Sequence, residues 1–587
     1  MIEKSVRFPI WLKASLIGLL IVGVVFRFVN LNHKVYSHDE VYTSIRAAGY
    51  THAAIDQALF QNQIIPAHDL QTFQHIKPGS SVGDTVHSLA VESPQHSPLY
   101  FLITRFWMQA FDGVLTTLFH SSLTTTRSLS VLLSLAGLPL MYVLAWELFA
   151  SHSVALLATT LLALSPFDVL FAQTARQYSL LTVMVIASHY ALWRALRRDS
   201  WQDRGMVGRW NGAKRQRPSW LAWGWYVLAM AIGFYTHPFF GLTLVGHSIY
   251  LIAVHPMDSP RPISWKKTFL PFGLSILIAL VLYSPWLVIM LTHQQSALET
   301  TEWTQVSPGL DYLVKLWTLS FTALVLDLDF GFSNPWTFLA RVPIALLMLA
   351  SLYTLYRRCD RSIWLFIFTS ILIPFLLLVI PDLLLGGRRS AISRYLIPCY
   401  PGIQLAIAYT LSSGLTLRPQ YFSRTKTLIQ TLRNSIATPY TLQPTPHLRL
   451  KQWFWRIVVS LLIAASLVSL TVSAMADTWW NKVPSYFNAE IARQINAVPS
   501  PLVISDRGDD FTNTGDLLSL SYRLHPTVRL LLLQDSSMVY SPSFQAGIAG
   551  TTAIVVHPSE KLQMALEQRY GTLQPLLPDA HVWKLPH

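Results

Sequence analysis

The sequence predicts a mainly α, polytopic transmembrane helical bundle of about 11–13 helices, followed by a small C-terminal soluble α/β domain. Three observations predict it. Of 587 residues, 52% are hydrophobic and only 13% are charged, against ~25% charged in an ordinary soluble domain. Mean hydropathy is +0.38, so the chain is too poor in charge to cover itself with polar surface. Apolar runs of about 20 residues recur, the length that crosses a bilayer as a helix. After residue 477 these runs stop, and short strand and helix patterns alternate instead.

The clear apolar spans are 10–29, 128–147, 154–172, 178–196, 220–237, 239–256, 269–291, 336–356, 362–381, 395–413 and 457–476. Two more, 97–112 and 312–326, are short, and re-entrant, interfacial and spanning placements are all open to them. Lys4, Arg7 and Lys13 attend the first run as in a signal peptide, but no small-residue cleavage site follows, so it is read as a retained helix. The two cysteines, Cys359 and Cys399, do not suggest a disulfide framework.

Net charge is +14, a value that elsewhere suggests nucleic acid. Here the basic residues cluster in short loops between apolar runs, which is the positive-inside pattern and excludes that class. Arg197, Arg198, Arg204, Arg209, Lys214, Arg215 and Arg217 fill one loop. Arg418, Arg424, Lys426, Arg433, Arg449, Lys451 and Arg456 fill the basic linker 415–456, and smaller loops hold Arg261, Lys266, Lys267, Arg357, Arg358 and Arg361. All are expected in the cytoplasm, provided the two short segments do not cross fully. Residues 1–476 then form the membrane domain, with a long first outer loop at 30–97, and 477–587 form an extracytoplasmic α/β domain.

Within that tail, 501–505, 528–533, 551–556 and 581–585 read as strands and 515–524 and 561–570 as helices, favouring a partly parallel sheet. Asp506-Arg-Gly-Asp-Asp510 follows the first strand, where open sheets often bind ligands; a solvated loop is the alternative. No internal repeat suggests an inverted-repeat transporter.

Five features carry possible chemistry. Ser37-His38-Asp39-Glu40 follows the first helix. Ser37 and Glu40 fit a capping box, which leaves Asp39 unexplained and available as a general base. Glu92-Ser-Pro-Gln-His96-Ser-Pro98-Leu-Tyr100 returns the outer loop to the membrane; a proline-led helix start is the plainer account. Arg176, in Ala175-Arg-Gln-Tyr178, is either a buried cation with a partner or a snorkelling anchor. Arg388, Arg389 and Arg394, before Tyr395, fall on the outer side against the charge rule. Binding an anionic head group accounts for them; a misplaced helix is the alternative. His237, between two spans, suits phosphate binding, proton transfer or a structural hydrogen bond. Seven outer-loop histidines (His33, His38, His52, His68, His75, His87 and His96) match no tight zinc spacing.

These motifs, in this order, resemble the GT-C membrane glycosyltransferases of the family 39 type, a group that includes protein O-mannosyltransferases and lipid A aminoarabinose transferases. The resemblance covers about residues 10–415 and leaves the tail outside. It implies inverting transfer of a hexose or pentose from a polyprenyl-phosphate donor to a lipid, glycan or protein acceptor, at the outer face of the plasma (inner) membrane. It implies Asp39 as base, supported by Glu40. It also implies that Arg176, Arg388, Arg389 and Arg394 lie near the lipid phosphate, with His96, Tyr100, Tyr178, His237 and Tyr395 lining the same site. Members differ in using a divalent cation, so a metal stays open, and no other cofactor is implied. The competing class is a transporter or flippase of lipid-linked glycans, gripping the same phosphate without breaking a bond; a sensor with an outer domain explains the tail but not the arginines.

Overall fold

A computed structural model describes residues 8–119, 121–202, 219–254, 265–330, 334–416, 446–509 and 512–586. In chain order the helices of the membrane part are α1 (Ile10–Phe28), α2 (His38–Ala48), α3 (His52–Leu59), α4 (Val82–Glu92), α5 (Leu99–Phe119), α6 (Ser122–Phe149), α7 (His152–Leu164), α8 (Pro166–Ala172) and α9 (Tyr178–Gln202). There follow α10 (Ser219–Thr236), α11 (Gly241–Val254), α12 (Trp265–Thr292), α13 (Gln294–Glu299), α14 (Leu310–Thr322), α15 (Pro335–Arg358), α16 (Arg361–Leu385), α17 (Tyr400–Leu415) and α18 (Pro446–Met475). Seven of the described helices have the length and apolarity to cross a membrane, and the bent pair α7–α8 makes an eighth. The other apolar segments form shorter or more polar helices, such as the 14-residue α11. The chain is a multi-pass membrane protein. Helix α9 is its axis, with 72% of its apolar window buried, whereas α1, α12 and α15 bury only 17–22% and form the periphery.

Two spans differ from expectation, and proline is the reason both times. The run 154–172 is broken by 57° between α7 and α8. Pro166 has no N–H to continue α7, and Ser165 caps α8 by accepting the Asp168 N–H at 3.3 Å. The break frees carbonyls at the end of α7, and Arg27 takes them: its guanidinium donates to Leu162 O at 3.0 Å and Ala163 O at 2.6 Å. Helix α1 comes this close because Gly23 faces it; a Cβ there would sit 2.4 Å from Ala163 O. The span expected from 395 starts as α17 at Tyr400 instead, after a 3-10 turn at Ser393–Cys399 that contains Pro398.

The contacts also resolve the two short segments. As α5 runs from Tyr100 to Trp107, its partners on α6 run back from Ser130 (2.6 Å) to Thr125 (2.9 Å). Both ends of α5 therefore lie at the end of the bundle where α6 starts. Helix α14 behaves alike: Trp317 reaches Ser390 before α17 starts, and Asp327, just after α14, accepts from Trp479 and Trp480 beyond the end of α18. The contacts of both segments stay at one end of the bundle, the arrangement that lets the basic loops share the opposite end. Most basic residues of the 197–219 and 415–456 loops lie outside the described residues.

Past α18 the tail forms α19 (Asn488–Asn496), α20 (Thr512–Ser521), α21 (Pro542–Ile548) and α22 (Glu560–Tyr570) around a sheet. Strands β2 (Pro501–Ser505), β3 (Arg529–Leu532), β4 (Thr552–Val556) and β6 (Val582–Lys584) match the sequence reading. β1 (Ile64–Pro66) and β5 (Gln574–Leu577) were not foreseen. The order is β1-β3-β2-β4-β6-β5, with β2 parallel to β3 and β4, and the other pairs antiparallel. β1 belongs to the long loop between α1 and α5, so loop and tail share one sheet and one hydrophobic core, in which Tyr42 and Ile45 of α2 pack with Leu517 and Leu518 of α20. Asp506 is neither a solvated loop residue nor a vacant ligand site: it is 8% exposed, and its carboxylate accepts the Gly508 and Ser559 N–H groups. Asp510 lies outside the described residues.

Candidate active site

The site is built on α2, a short helix with defined ends. Ser37 and Glu40 form the expected capping box; the Ser37 N–H donates to Glu40 Oε2 at 3.1 Å. The helix stops at Gly49, whose φ of 91° suits the left-handed terminus. A helix start leaves its first N–H groups without internal partners, and a side chain from the far end of the sequence takes one of them: His38 N–H donates to Ser485 Oγ at 2.9 Å.

Glu40 does much more than close the box. It is fully buried, and Arg127 of α6 grips it with two bonds, Nε to Oε1 at 2.8 Å and Nη2 to Oε2 at 2.9 Å. Lys482 Nζ donates to Oε2 at 2.7 Å, and the Ala175 N–H donates to Oε1 at 2.9 Å. The remaining Arg127 donors reach the carbonyls of Leu31, Lys34 and Val35. Burial by itself would raise the Glu40 carboxyl; Arg127 and Lys482 outweigh it and hold the group far below the usual carboxylate range. Its lone pairs are committed to structure.

Asp39, one residue earlier, is turned to a different environment. Its side chain is 27% exposed, with Oδ1 3.9 Å from Arg176 Nη2 and Oδ2 3.9 Å from Arg394 Nη1. These are ion-pair distances without direct hydrogen bonds. Burial again would raise this carboxyl, and the two guanidinium groups overcome it, so Asp39 is ionised at neutral pH. Arg176 and Arg394, 137 and 355 residues further along the chain, thus converge on one carboxylate.

Arg176 is no snorkelling anchor. It is 2% exposed and held from behind, with Nη1 donating to the Asp39 carbonyl at 3.2 Å and to Thr43 Oγ1 at 3.3 Å. Arg394 lies over three rings, Tyr178, Trp303 and Tyr395, at 5.7–5.9 Å. Arg388 shares Trp303, stacking at 5.2 Å and donating through Nε to its carbonyl at 2.9 Å. Arg388 and Arg394 thus share one end of the bundle with Asp39. Asp382 shapes their loop: its Oδ2 accepts the Ser390 N–H at 2.6 Å, beside Gly387 at a φ of 136°. Arg389 is half-buried in the same turn.

The histidines are close but electrically quiet. His96 Nε2 is 3.4 Å from Arg176 Nη2, and burial together with the nearby arginines pushes the ring well below its ordinary value. The same causes push His237 down to about 3. Its Nδ1 accepts the Phe239 N–H at 3.1 Å, and its ring lies 6.2 Å from Tyr178 and 6.3 Å from Tyr395. Both are neutral at physiological pH. Tyr100 differs from expectation: it is fully buried, with its hydroxyl on Ser130 at 2.6 Å, and Ser130 donates to the Arg176 carbonyl at 3.4 Å. It braces the arginine from behind.

Sequence reasoning missed Arg127, Trp303 and Lys482. An arginine at the edge of the apolar run 128–147 was a signal for the first; nothing local marks the other two. Among the described residues, no group of three or more His, Cys, Asp or Glu side chains is arranged to hold a metal ion. The two cations beside Asp39 make the surroundings suited to an anion.

No protein-family model and no curated protein matches the chain. Among solved structures, ArnT from Cupriavidus metallidurans in the apo state matches with a TM-score of 0.51 at 14% identity, over 97% of each chain. The chain has the GT-C fold. ArnT from the same organism bound to undecaprenyl phosphate gives a TM-score of 0.49 at 14% identity, over 97% of this chain and 98% of ArnT. The archaeal oligosaccharyltransferase AglB from Archaeoglobus fulgidus, in complex with an inhibitory peptide and a dolichol-phosphate, gives 0.46 at 10% identity, over 99% of this chain and 75% of AglB. At 97% of each chain, the likeness to apo ArnT takes in most of the tail, which the motifs alone had left outside.

Proposed function

We propose that the chain is an inverting membrane glycosyltransferase that moves a hexose or pentose from a polyprenyl-phosphate donor to an acceptor hydroxyl, on the extracytoplasmic face of the plasma membrane. The observation that carries this reading is Asp39, ionised and partly exposed, facing the guanidinium groups of Arg176 and Arg394. The GT-C fold agrees with it.

In this reading the donor phosphate meets the guanidinium groups, and Asp39 accepts the proton of the acceptor hydroxyl as that oxygen attacks the anomeric carbon. The bond from the anomeric carbon to the phosphate oxygen breaks. Its electron pair stays with the lipid phosphate, where Arg176 and Arg394 stabilise the added charge. The leaving group is already a phosphate, so no acid is needed, consistent with neutral His96 and His237. The electrostatics couple the two events. In the free protein the arginines make Asp39 a weak base; an anionic donor offsets their charge and raises its basicity once donor is bound.

The test is incubation of the purified protein with polyprenyl-phosphate sugars carrying a labelled sugar. Sugar transfer with release of free lipid phosphate supports the transferase; binding or membrane translocation of an intact donor favours the flippase. Cysteines introduced beside residues 39 and 388 should react with an impermeant reagent from the same side of the bilayer; labelling from opposite sides overturns the mechanism.

A further inference from the structure

The strand of chain between α18 and the tail is tied to α2 at successive points. The Val35 N–H donates to the Asp477 carbonyl at 2.7 Å just before α2 starts. Lys482 Nζ donates to Glu40 at 2.7 Å, and Ser485 Oγ accepts the first N–H of α2, that of His38, at 2.9 Å. The strand is itself fixed to the membrane bundle: Trp479 and Trp480 both donate to Asp327 at 2.9 Å. Lys482 is 1% exposed and Glu40 fully buried, so neither reaches a ligand directly.

Glu40 has one neighbour on each side of the reacting geometry. Asp39 precedes it in the chain. Ala175, whose N–H donates to Glu40 at 2.9 Å, precedes Arg176. The carboxylate therefore fixes the spacing between the ionised aspartate and the arginine that faces it. A buried acid held by a single bidentate arginine is already neutralised in charge; Lys482 adds a second cation where stability alone does not require one. What it adds is a tie to the C-terminal segment: Oε2 also accepts from the Ser37 N–H and from Arg127 Nη2, and Lys482 is the donor that reaches it from the 476–487 strand.

We infer that Lys482 is a positioning residue for transfer: by fixing Glu40, it holds Asp39 and Arg176 in register and makes the docked C-terminal strand part of the active site. This rests on the transferase reading for its catalytic consequence, though not for its structural one. Misplacing reacting groups by about 1 Å costs up to ~100-fold in rate.

The experiment compares wild type, Lys482→Met and Lys482→Arg in the full-length, detergent-purified protein. Three readouts are taken: unfolding temperature, amide exchange across residues 38–48 and 173–177, and, with a polyprenyl-phosphate sugar, kcat and KM. Lys482→Met should speed exchange in those two segments alone, lower kcat by about tenfold or more and leave the donor KM within about twofold. Lys482→Arg should restore both exchange and kcat. Unchanged exchange with unchanged kcat overturns the proposal, as does a general fall in unfolding temperature with exchange raised throughout, which marks a purely structural lysine. Wild-type protein that neither binds undecaprenyl phosphate nor releases it from a sugar donor sinks the transferase reading instead, and leaves the exchange result to decide the positioning role.

Discussion

Arg127 and Glu40 form a fully buried, bidentate pair at 2.8 and 2.9 Å, and this pair separates two carboxylates that are adjacent in sequence. Glu40 is bound on all sides, and Asp39 keeps its oxygens for something else. The two should therefore fail in different ways.

Asp39→Asn should abolish transfer while leaving expression and unfolding temperature near wild type, because no close hydrogen bond to the carboxylate is needed to hold α2. Glu40→Ala should destabilise the protein by about 3–5 kcal/mol, since removing one partner of a buried ion pair leaves Arg127 and Lys482 uncompensated. Thermal unfolding beside a turnover assay distinguishes them. A stable, inactive Glu40→Ala protein and an active Asp39→Asn protein would exchange the two roles.

Arg394 is expected to act on the donor. Its guanidinium lies over Tyr178, Trp303 and Tyr395 and 3.9 Å from the Asp39 carboxylate. Arg394→Gln should lower kcat/KM by about 10- to 100-fold, the value of one charge-assisted hydrogen bond to phosphate, with little change in unfolding temperature. Arg394→Lys should recover only part of this, because a lysine keeps the charge but lacks the planar fork. Full recovery by lysine would mean that only net charge matters here.

Much of this was legible in the sequence, for identifiable reasons. Apolar run length gives the spans directly, and the capping box in Ser37–Glu40 gives the start of α2. Asp39, Arg176 and Arg394 stood out because charged groups at the edges of apolar runs need a reason. What was not legible depends on contacts between distant residues. Glu40 carries the same chemistry as Asp39, and only the position of Arg127 and Lys482 reveals that its lone pairs are committed. Lys482, in Trp479-Trp480-Asn481-Lys482-Val483-Pro484 after α18, belongs to no motif that would single it out. Ile64–Pro66 is too short to read as a strand until β3 provides its partner. The break at Pro166 was readable as a proline; that the helix pair survives the break depends on Arg27, 139 positions earlier, meeting the freed carbonyls.

The pH dependence follows from the sign of the Asp39 shift. In the free protein Arg176 and Arg394, outweighing burial, hold this carboxyl below its ordinary value. A lowered carboxyl is active as a base above its own pKa and loses activity as pH falls through it. The acid limb of kcat/KM, which reports the free enzyme, should therefore lie below the ordinary aspartate value of about 3.9. Bound donor neutralises part of the arginine charge, so the acid limb of kcat should lie at higher pH than that of kcat/KM. Coincident limbs, or the reverse order, would contradict a base facing phosphate-bound arginines.

The seating of the tail on α2 makes a prediction against the usual trend. Gly515 lies inside α20, where glycine is ordinarily worse than alanine by ~1 kcal/mol. Here a Cβ would come within 2.5 Å of Tyr42 Cε2 and 2.6 Å of His38 Cδ2. Both side chains are buried on α2, at 4% and 8% exposure, and cannot swing into solvent without opening the shared core. Gly515→Ala should thus lower the unfolding temperature in spite of its better helix propensity. It should also reduce turnover, because the ring displaced by the new methyl sits on the helix that carries Asp39. Ser519→Ala, on the same helix, is the comparison that separates contact with α2 from a general effect on α20: it loses only the bond that Asn488 donates to the Ser519 hydroxyl at 3.0 Å. A Gly515→Ala protein that is more stable than wild type and equally active would mean that α20 is not packed against α2 in the working enzyme.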